Sequence, residues 1–230
     1  MSDPAEKLTD PPEAVDDDSR APAALAVSDL VMLDFDGVIA DSLEVTSAAT
    51  CTALEAHGRA DLASHDMMLR LVESNWFEGL RKAGVPLQVS RDIDDLIAAA
   101  AAAGRFEPFA TMPEVIASLE ERHRILIVTS NRTDIVAGFL TRWNIVGVSE
   151  VLGGDKGESK VRKIRAAVGR HEHDQGSWFV GDTVGAVVEG RRAGVGTIAA
   201  AWGWHSLEQL RGASPDRIAA APRDLLTLLP

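Results

Sequence analysis

The segment Leu30-Val31-Met32-Leu33-Asp34-Phe35-Asp36-Gly37 decides how the rest of the chain is read. Four apolar residues in a row, without the alternation of a half-exposed strand, are the pattern of a strand buried on both faces. The run stops at once in two carboxylates separated by one residue, then a glycine that lets the backbone fold back toward them. A strand buried on both faces implies a parallel sheet. In such sheets ligands gather beyond the C-terminal strand ends, near the place where strand order reverses. Asp34 and Asp36 therefore stand where chemistry is expected.

Downstream the same texture repeats. Short apolar runs at 125–128, 148–152, 178–180 and 195–200 alternate with helical patterns that open at Pro113 and cover 133–142, 159–168 and 185–193. This alternation predicts repeated β-α units on a parallel sheet, an α/β fold. The stretch 43–105 breaks the rhythm. Leu69, Val72, Trp76 and Leu80 fall at spacings of three and four, and Ile93, Leu96 and Ile97 lead into six alanines at 98–103. With no strand pattern in it, this stretch is expected to be an all-helical insertion. The core then comprises 28–42 and 106–230. Residues 1–27 are rich in proline, alanine and acid, with Asp16, Asp17 and Asp18 in a row, and are expected to be a disordered acidic tail.

Reading the residues just past each apolar run gives Thr129-Ser130-Asn131 after the second and Gly181-Asp182-Thr183 after a later one. Mg²⁺ prefers hard oxygen donors and keeps several waters. Asp34, Asp36 and Asp182 are the expected metal set, two through carboxylates and one through a backbone carbonyl. A carboxylate and a phosphate repel, so attack by Asp34 on a phosphate ester needs such a cation. Asp36 then gives a proton to the leaving oxygen and later takes one from water. Thr129 offers a hydroxyl to a phosphate oxygen, with Gly37, Ser130 and Asn131 expected beside the substrate. A lysine should add positive charge. Lys156 and Lys160 are candidates, and Lys160 is preferred because it starts an amphipathic helix whose free N–H groups also favour an anion.

A formal net charge of −12 over 230 residues argues against nucleic acid as the main partner. A small phosphorylated metabolite is expected instead. No apolar run reaches the roughly 18–20 residues of a spanning helix, so no membrane partner is expected. Cys51 is the only cysteine and reads as a packing residue, which fits a reducing compartment. The start of the chain lacks a secretory pattern, and a cytoplasmic location is expected. His171-Glu172-His173-Asp174 reads as a solvated loop. Trp202, Trp204 and His205 are expected either at the mouth of the site or against the sheet edge.

Asp34-Phe35-Asp36-Gly37-Val38-Ile39-Ala40-Asp41-Ser42 resembles the first signature of the haloacid dehalogenase superfamily. Ile127-Val128-Thr129-Ser130-Asn131 resembles the second, Lys160 the third, and Gly181-Asp182-Thr183 with Arg191, Ala193 and Gly194 the fourth. The segment 202–207 with Pro215 is similar to phosphoglycolate-phosphatase-like members. The resemblance implies a Rossmann-like core with a small helical cap, and a covalent aspartyl-phosphate on Asp34 with Asp36 as acid and base. Dehalogenases of the superfamily do not need the second acid, so phosphate-ester cleavage is preferred. Alignment on the fourth signature puts Ala186 where many members carry a second aspartate supporting the metal, with Glu189 one helical turn too far along to replace it directly. Loss of such a support costs roughly 10- to 100-fold. A phosphatase-like binding or regulatory protein with weakened catalysis is therefore one alternative. A sugar-phosphate mutase is the other, although such enzymes place a glutamate where this chain has Gly181.

Overall fold

The computed structural model describes residues 29–73, 76–155, 158–171 and 176–229. The expected tail at 1–27 lies outside them. The first strand, β1 (Asp29–Leu33), has no exposed surface from Leu30 to Leu33. Val31 and Leu33 join one hydrophobic cluster and Leu30 and Met32 another, which is what an uninterrupted apolar strand means. Each such side chain removed from water contributes roughly 1.5–3 kcal/mol, so β1 is fixed firmly enough to aim the carboxylates at its C-terminal end.

Beyond β1 the chain turns through Gly37 into β2 (Ala40–Asp41). It then forms α1 (Leu43–Ala56), α2 (His65–Leu71), α3 (Trp76–Lys82) and α4 (Leu87–Ala102), and returns through β3 (Glu107–Pro108). β2 and β3 pair antiparallel, Ala40 with Pro108 and Asp41 with Glu107, so both ends of the helical insertion pass through one short ladder. Among its described residues the insertion contains no strand. Leu69, Val72, Trp76 and Leu80 are divided between two helices, since α2 ends at Leu71 and α3 begins at Trp76. In α4, Ile93 and Ile97 are buried while Leu96 is turned outward.

The remainder keeps to the β-α alternation: α5 (Met112–Glu120), β4 (His123–Val128), α6 (Thr133–Arg142), β5 (Val148–Leu152), α7 (Lys160–Arg170), β6 (Gly176–Gly181), α8 (Val184–Ala193), β7 (Gly196–Ala200), α9 (Leu207–Gly212), β8 (Arg217–Ala219) and α10 (Leu225–Leu228). The sheet runs β5-β4-β1-β6-β7-β8 with every neighbouring pair parallel. Strand order reverses at β1 and β6, so the crevice beyond their C-terminal ends is where this fold places a ligand. Ser159 and Thr183 cap α7 and α8, accepting hydrogen bonds from Arg162 N at 3.4 Å and Ala186 N at 3.1 Å. Both helices thus start at that crevice. No helix among the described residues is long and apolar enough to cross a membrane.

Candidate active site

Asp34 continues the line of β1, its N–H donating to the Val180 carbonyl at 2.9 Å. Its carboxylate is nearly buried: Oδ1 accepts from the Phe35 N–H at 2.9 Å, and Oδ2 takes the ammonium of Lys160. Asp36 is held separately. Ser42 Oγ donates to its Oδ1 at 2.7 Å and Asn131 Nδ2 to its Oδ2 at 3.0 Å. Burial raises the proton affinity of Asp36, these two hydrogen bonds oppose the rise, and Asp34 adds to it. A carboxyl so placed is suited to give and retake a proton. Ser42 occupies the N-cap of α1 but makes no capping bond, its hydroxyl being spent on the acid instead.

Thr129, at the end of β4, is buried, and its Oγ1 accepts from the Asn131 N–H at 3.0 Å. Ser130 lines the cavity beside it. Asn131, expected at the substrate, spends its amide on Asp36 and so orients the acid. Of the two lysine candidates, Lys160 is the one on Asp34, whereas Lys156 lies outside the described residues. Burial works against the Lys160 charge, but Asp34, Glu189 and Asp182 outweigh it and hold the ammonium above the usual lysine range. Lys163 is a site residue that the sequence reading does not pick out. One turn along α7 it is buried, donating to the carbonyls of Thr129 and, at 3.0 Å, Gly153, which ties the ends of β4 and β5 together. Burial, then repulsion from Lys160, pushes its ammonium down to about 8. The available signal is the spacing, since residues three apart share a helix face.

Asp182, at the end of β6, is 1% exposed. Its Oδ2 accepts from the Trp204 N–H at 2.9 Å and its carbonyl from the His205 N–H at 3.3 Å. Burial and then repulsion from Asp34 push its carboxyl up to about 8. Gly37 explains how the loops come so close. Its φ is +76°, and a Cβ there would fall 1.8 Å from Asp182 Oδ2. Its N–H is taken by the Ala40 carbonyl at 2.9 Å, so Gly37 acts here by clearance. Gly37→Ala is expected to cost about 1–2 kcal/mol for the left-handed backbone alone. Displacing Asp182 should cut turnover by about 100-fold. Urea unfolding and steady-state rates check both, and an alanine variant with full activity would refute the close approach.

The residues after β7 belong to the site and to the insertion at once. Trp202 Nε1 donates to the Val38 carbonyl at 3.1 Å. His205 is buried, its Nδ1 accepting from the Val184 N–H at 3.0 Å, which leaves Nε2 to donate to the Leu69 carbonyl of α2 at 3.2 Å. Burial lowers its proton affinity, in keeping with a neutral ring that accepts at one nitrogen. His171, the described member of the expected solvated loop, meets Glu150 at 3.2 Å, and residues 172–175 lie outside the described set.

With this arrangement in view, the family model for haloacid dehalogenase-like hydrolases matches residues 31–200. The chain belongs to that family. A phosphoglycolate phosphatase from Synechococcus elongatus is 28% identical over 208 residues, covering 85% of this chain and 94% of that protein. Among solved structures, a hydrolase from Pseudomonas syringae superposes with a TM-score of 0.73 at 18% identity, covering 88% of this chain and 97% of the other. A predicted phosphatase from Clostridium acetobutylicum does so with a TM-score of 0.73 at 16% identity, covering 89% and 99%. These structural likenesses concern the fold, which is the family's Rossmann-like core.

As in any haloacid dehalogenase-like hydrolase, the question is what the strand-end residues can hold. They line a cavity of about 770 Å³. Asp34, Asp36, Thr129, Lys160, Asp182 and Glu189 form its floor, while Val72, Trp76, Phe77, Leu87 and Ile97 of the insertion face them. No group of three His, Cys, Asp or Glu side chains among the described residues is arranged around an ion. The reason is that the Asp36 carboxylate is turned to Ser42 and Asn131. Two acids remain, Asp34 and Asp182, near enough for Asp34 to raise the proton affinity of Asp182, and such a pair fits a hard cation. The Asp36 carbonyl, to which no described backbone N–H donates, could serve as a third oxygen donor. Ala186 packs into the core with Leu30, Met32 and Phe179 and brings no carboxylate. Glu189, set aside on sequence, does reach the cavity.

Proposed function

We propose that this hydrolase is a magnesium-dependent phosphatase, cleaving small phosphate monoesters through an aspartyl-phosphate on Asp34. The observation that carries the reading is the division of labour between two acids one residue apart, Asp34 facing Lys160 and Asp36 held by Ser42 and Asn131. An Asp34 oxygen attacks phosphorus, and the ester oxygen leaves with the proton of Asp36. Asp36 then takes a proton from water, whose oxygen attacks phosphorus and frees Asp34 with release of phosphate. Lys160 and the Thr129 hydroxyl meet the phosphoryl oxygens. Magnesium, held by Asp34, Asp182 and the Asp36 carbonyl, supplies charge neutralisation between carboxylate and phosphate when bound.

The helical insertion serves as the cap, and the leaving group lies between it and the floor. Thr46 Oγ1 and Trp204 Nε1 are buried, have no hydrogen-bond partner among the described residues, and belong to residues that line the cavity. The relative from Synechococcus elongatus is a phosphoglycolate phosphatase, and we take phosphorylated hydroxy acids as the substrate class to start from. Phosphoglycolate is accordingly the first compound to try, although a cavity of about 770 Å³ also admits larger esters. We assign the activity to the cytoplasm. The alternative of weakened catalysis is favoured by Ala186. Mutase action is disfavoured, because a Cβ at Gly181 would fall 2.4 Å from Ala186 Cβ and leave a glutamate no room.

The test is release of phosphate from a generic aryl phosphate, then from a panel of phosphorylated metabolites, with magnesium and with chelator. Turnover should require the metal and rise for hydroxy-acid phosphates. A folded sample that releases nothing with magnesium, or releases equally without it, overturns the reading.

A further inference from the structure

His205 has no part in the steps above, yet it is 1% exposed and both of its ring nitrogens are engaged. Nδ1 accepts from the Val184 N–H at 3.0 Å, and Nε2 meets the Leu69 carbonyl at 3.2 Å. An N–H can only donate and a carbonyl only accept, so the two contacts together require a neutral ring with its proton on Nε2. Each partner belongs to a helix end, where backbone groups run short of mates within the helix. Val184 opens α8, where the Thr183 hydroxyl takes the Ala186 N–H and the ring takes that of Val184. Leu69 stands in the last turn of α2.

What the ring joins gives these bonds a consequence. α8 starts just past Asp182, whose Oδ2 accepts from the Trp204 N–H at 2.9 Å and whose carbonyl accepts from the His205 N–H at 3.3 Å. α2 belongs to the insertion and leads into Val72, which lines the cavity together with Trp76 and Phe77 of α3. The β2–β3 ladder holds the insertion at its stem, through Ala40, Asp41, Glu107 and Pro108. His205 holds it a second time, at α2, from the loop that grips Asp182.

We propose that His205 is a positioning residue for substrate binding, a two-ended brace whose ring fixes α2 of the insertion against the start of α8 and so sets the cavity wall above Asp182. Its kinetic consequence rests on the phosphatase reading; the brace itself does not. No single amide replaces the ring. Asparagine keeps an acceptor for the Val184 N–H but falls short of Leu69, whereas glutamine reaches the Leu69 carbonyl with a donor and leaves Val184 without its acceptor.

The test follows amide hydrogen exchange in the full chain without metal or ester, then kinetics on an aryl phosphate with magnesium. In His205→Asn the last turn of α2 should exchange about tenfold faster while the Val184 amide stays near wild type, and in His205→Gln the pattern should invert. The ester should show the same division, with KM about tenfold higher in the Asn variant, kcat falling by less, and KM recovered in the Gln variant. A ring that only fills space predicts that both regions loosen together in both variants with no difference in KM between them. That result, or unchanged exchange, overturns the proposal. One variant alone suffices, since each loosens one end and spares the other. Should neither fold, the ¹⁵N shifts of the wild-type ring decide: a proton on Nε2 with Nδ1 bare is required, and the other tautomer or a charged ring refutes the brace. The expected exchange pattern without any metal-dependent turnover would uphold the brace and refute the phosphatase reading.

Discussion

Asp34→Asn is expected to remove turnover, by about four orders of magnitude or more, while the chain still folds. The asparagine oxygen can keep the hydrogen bond from the Phe35 N–H, and β1 behind it stays buried on both faces. What disappears is the anion that pairs with Lys160 and that we propose attacks phosphorus. Two measurements separate the nucleophile from a residue that merely holds the site in shape. Rates on an aryl phosphate give the loss, and mass spectrometry of acid-quenched protein seeks a phosphoryl group on Asp34 in wild type and its absence in the variant. A variant retaining more than about one hundredth of the rate, or a wild type labelled elsewhere, would show that another group attacks.

Asp182→Asn should make the metal-free protein more stable even as it abolishes the response to magnesium. The carboxyl of Asp182 is pushed from its ordinary 3.8 up to about 8, by burial first and Asp34 second. In the unfolded chain this proton leaves near pH 4, whereas the folded chain keeps it to about pH 8. Between those limits the folded state binds more protons, so the contribution of this group is complete below pH 4 and is lost as pH rises to 8. At about 1.4 kcal/mol per unit, the loss at pH 8 is on the order of several kcal/mol. Asparagine has no proton to lose. Urea unfolding of chelator-treated protein should therefore show wild type weakening relative to the variant from pH 5 to pH 8. Magnesium should restore wild type at pH 8 and leave the variant unchanged. Parallel pH profiles would mean that Asp182 is not under this stress.

Much of the architecture is readable in the chain, for a physical reason. A strand buried on both faces must be apolar throughout, so 30–33, 125–128 and 178–180 announce themselves, and the residue after each run has to sit at the strand end. That places Asp34, Asp36, Thr129 and Asp182 at one edge, where the structure has them. Spacing shows which face a residue occupies and is silent on its partner. The lysine at 163, the diverted hydroxyl of Ser42 and the reach of Glu189 depend on where separate helices begin, and no single segment encodes that. The apolar rhythm from Leu69 to Leu80 shows that the stretch is helical and not where one helix ends and the next begins. The ladder of β2 with β3 and the edge strand β8 are too short, at two and three residues, to leave a periodic trace.

Ser42 joins two things that a diagram of the fold would keep apart. It is the threshold residue of α1, the first helix of the insertion, and it grips the Asp36 carboxyl at 2.7 Å. Any rocking of the insertion about its narrow stem would be felt, through that one side chain, at the acid we propose as the proton donor. On that reading, closure over a guest and readiness for bond cleavage would be mechanically one event, as if a door handle also threw the switch inside the room.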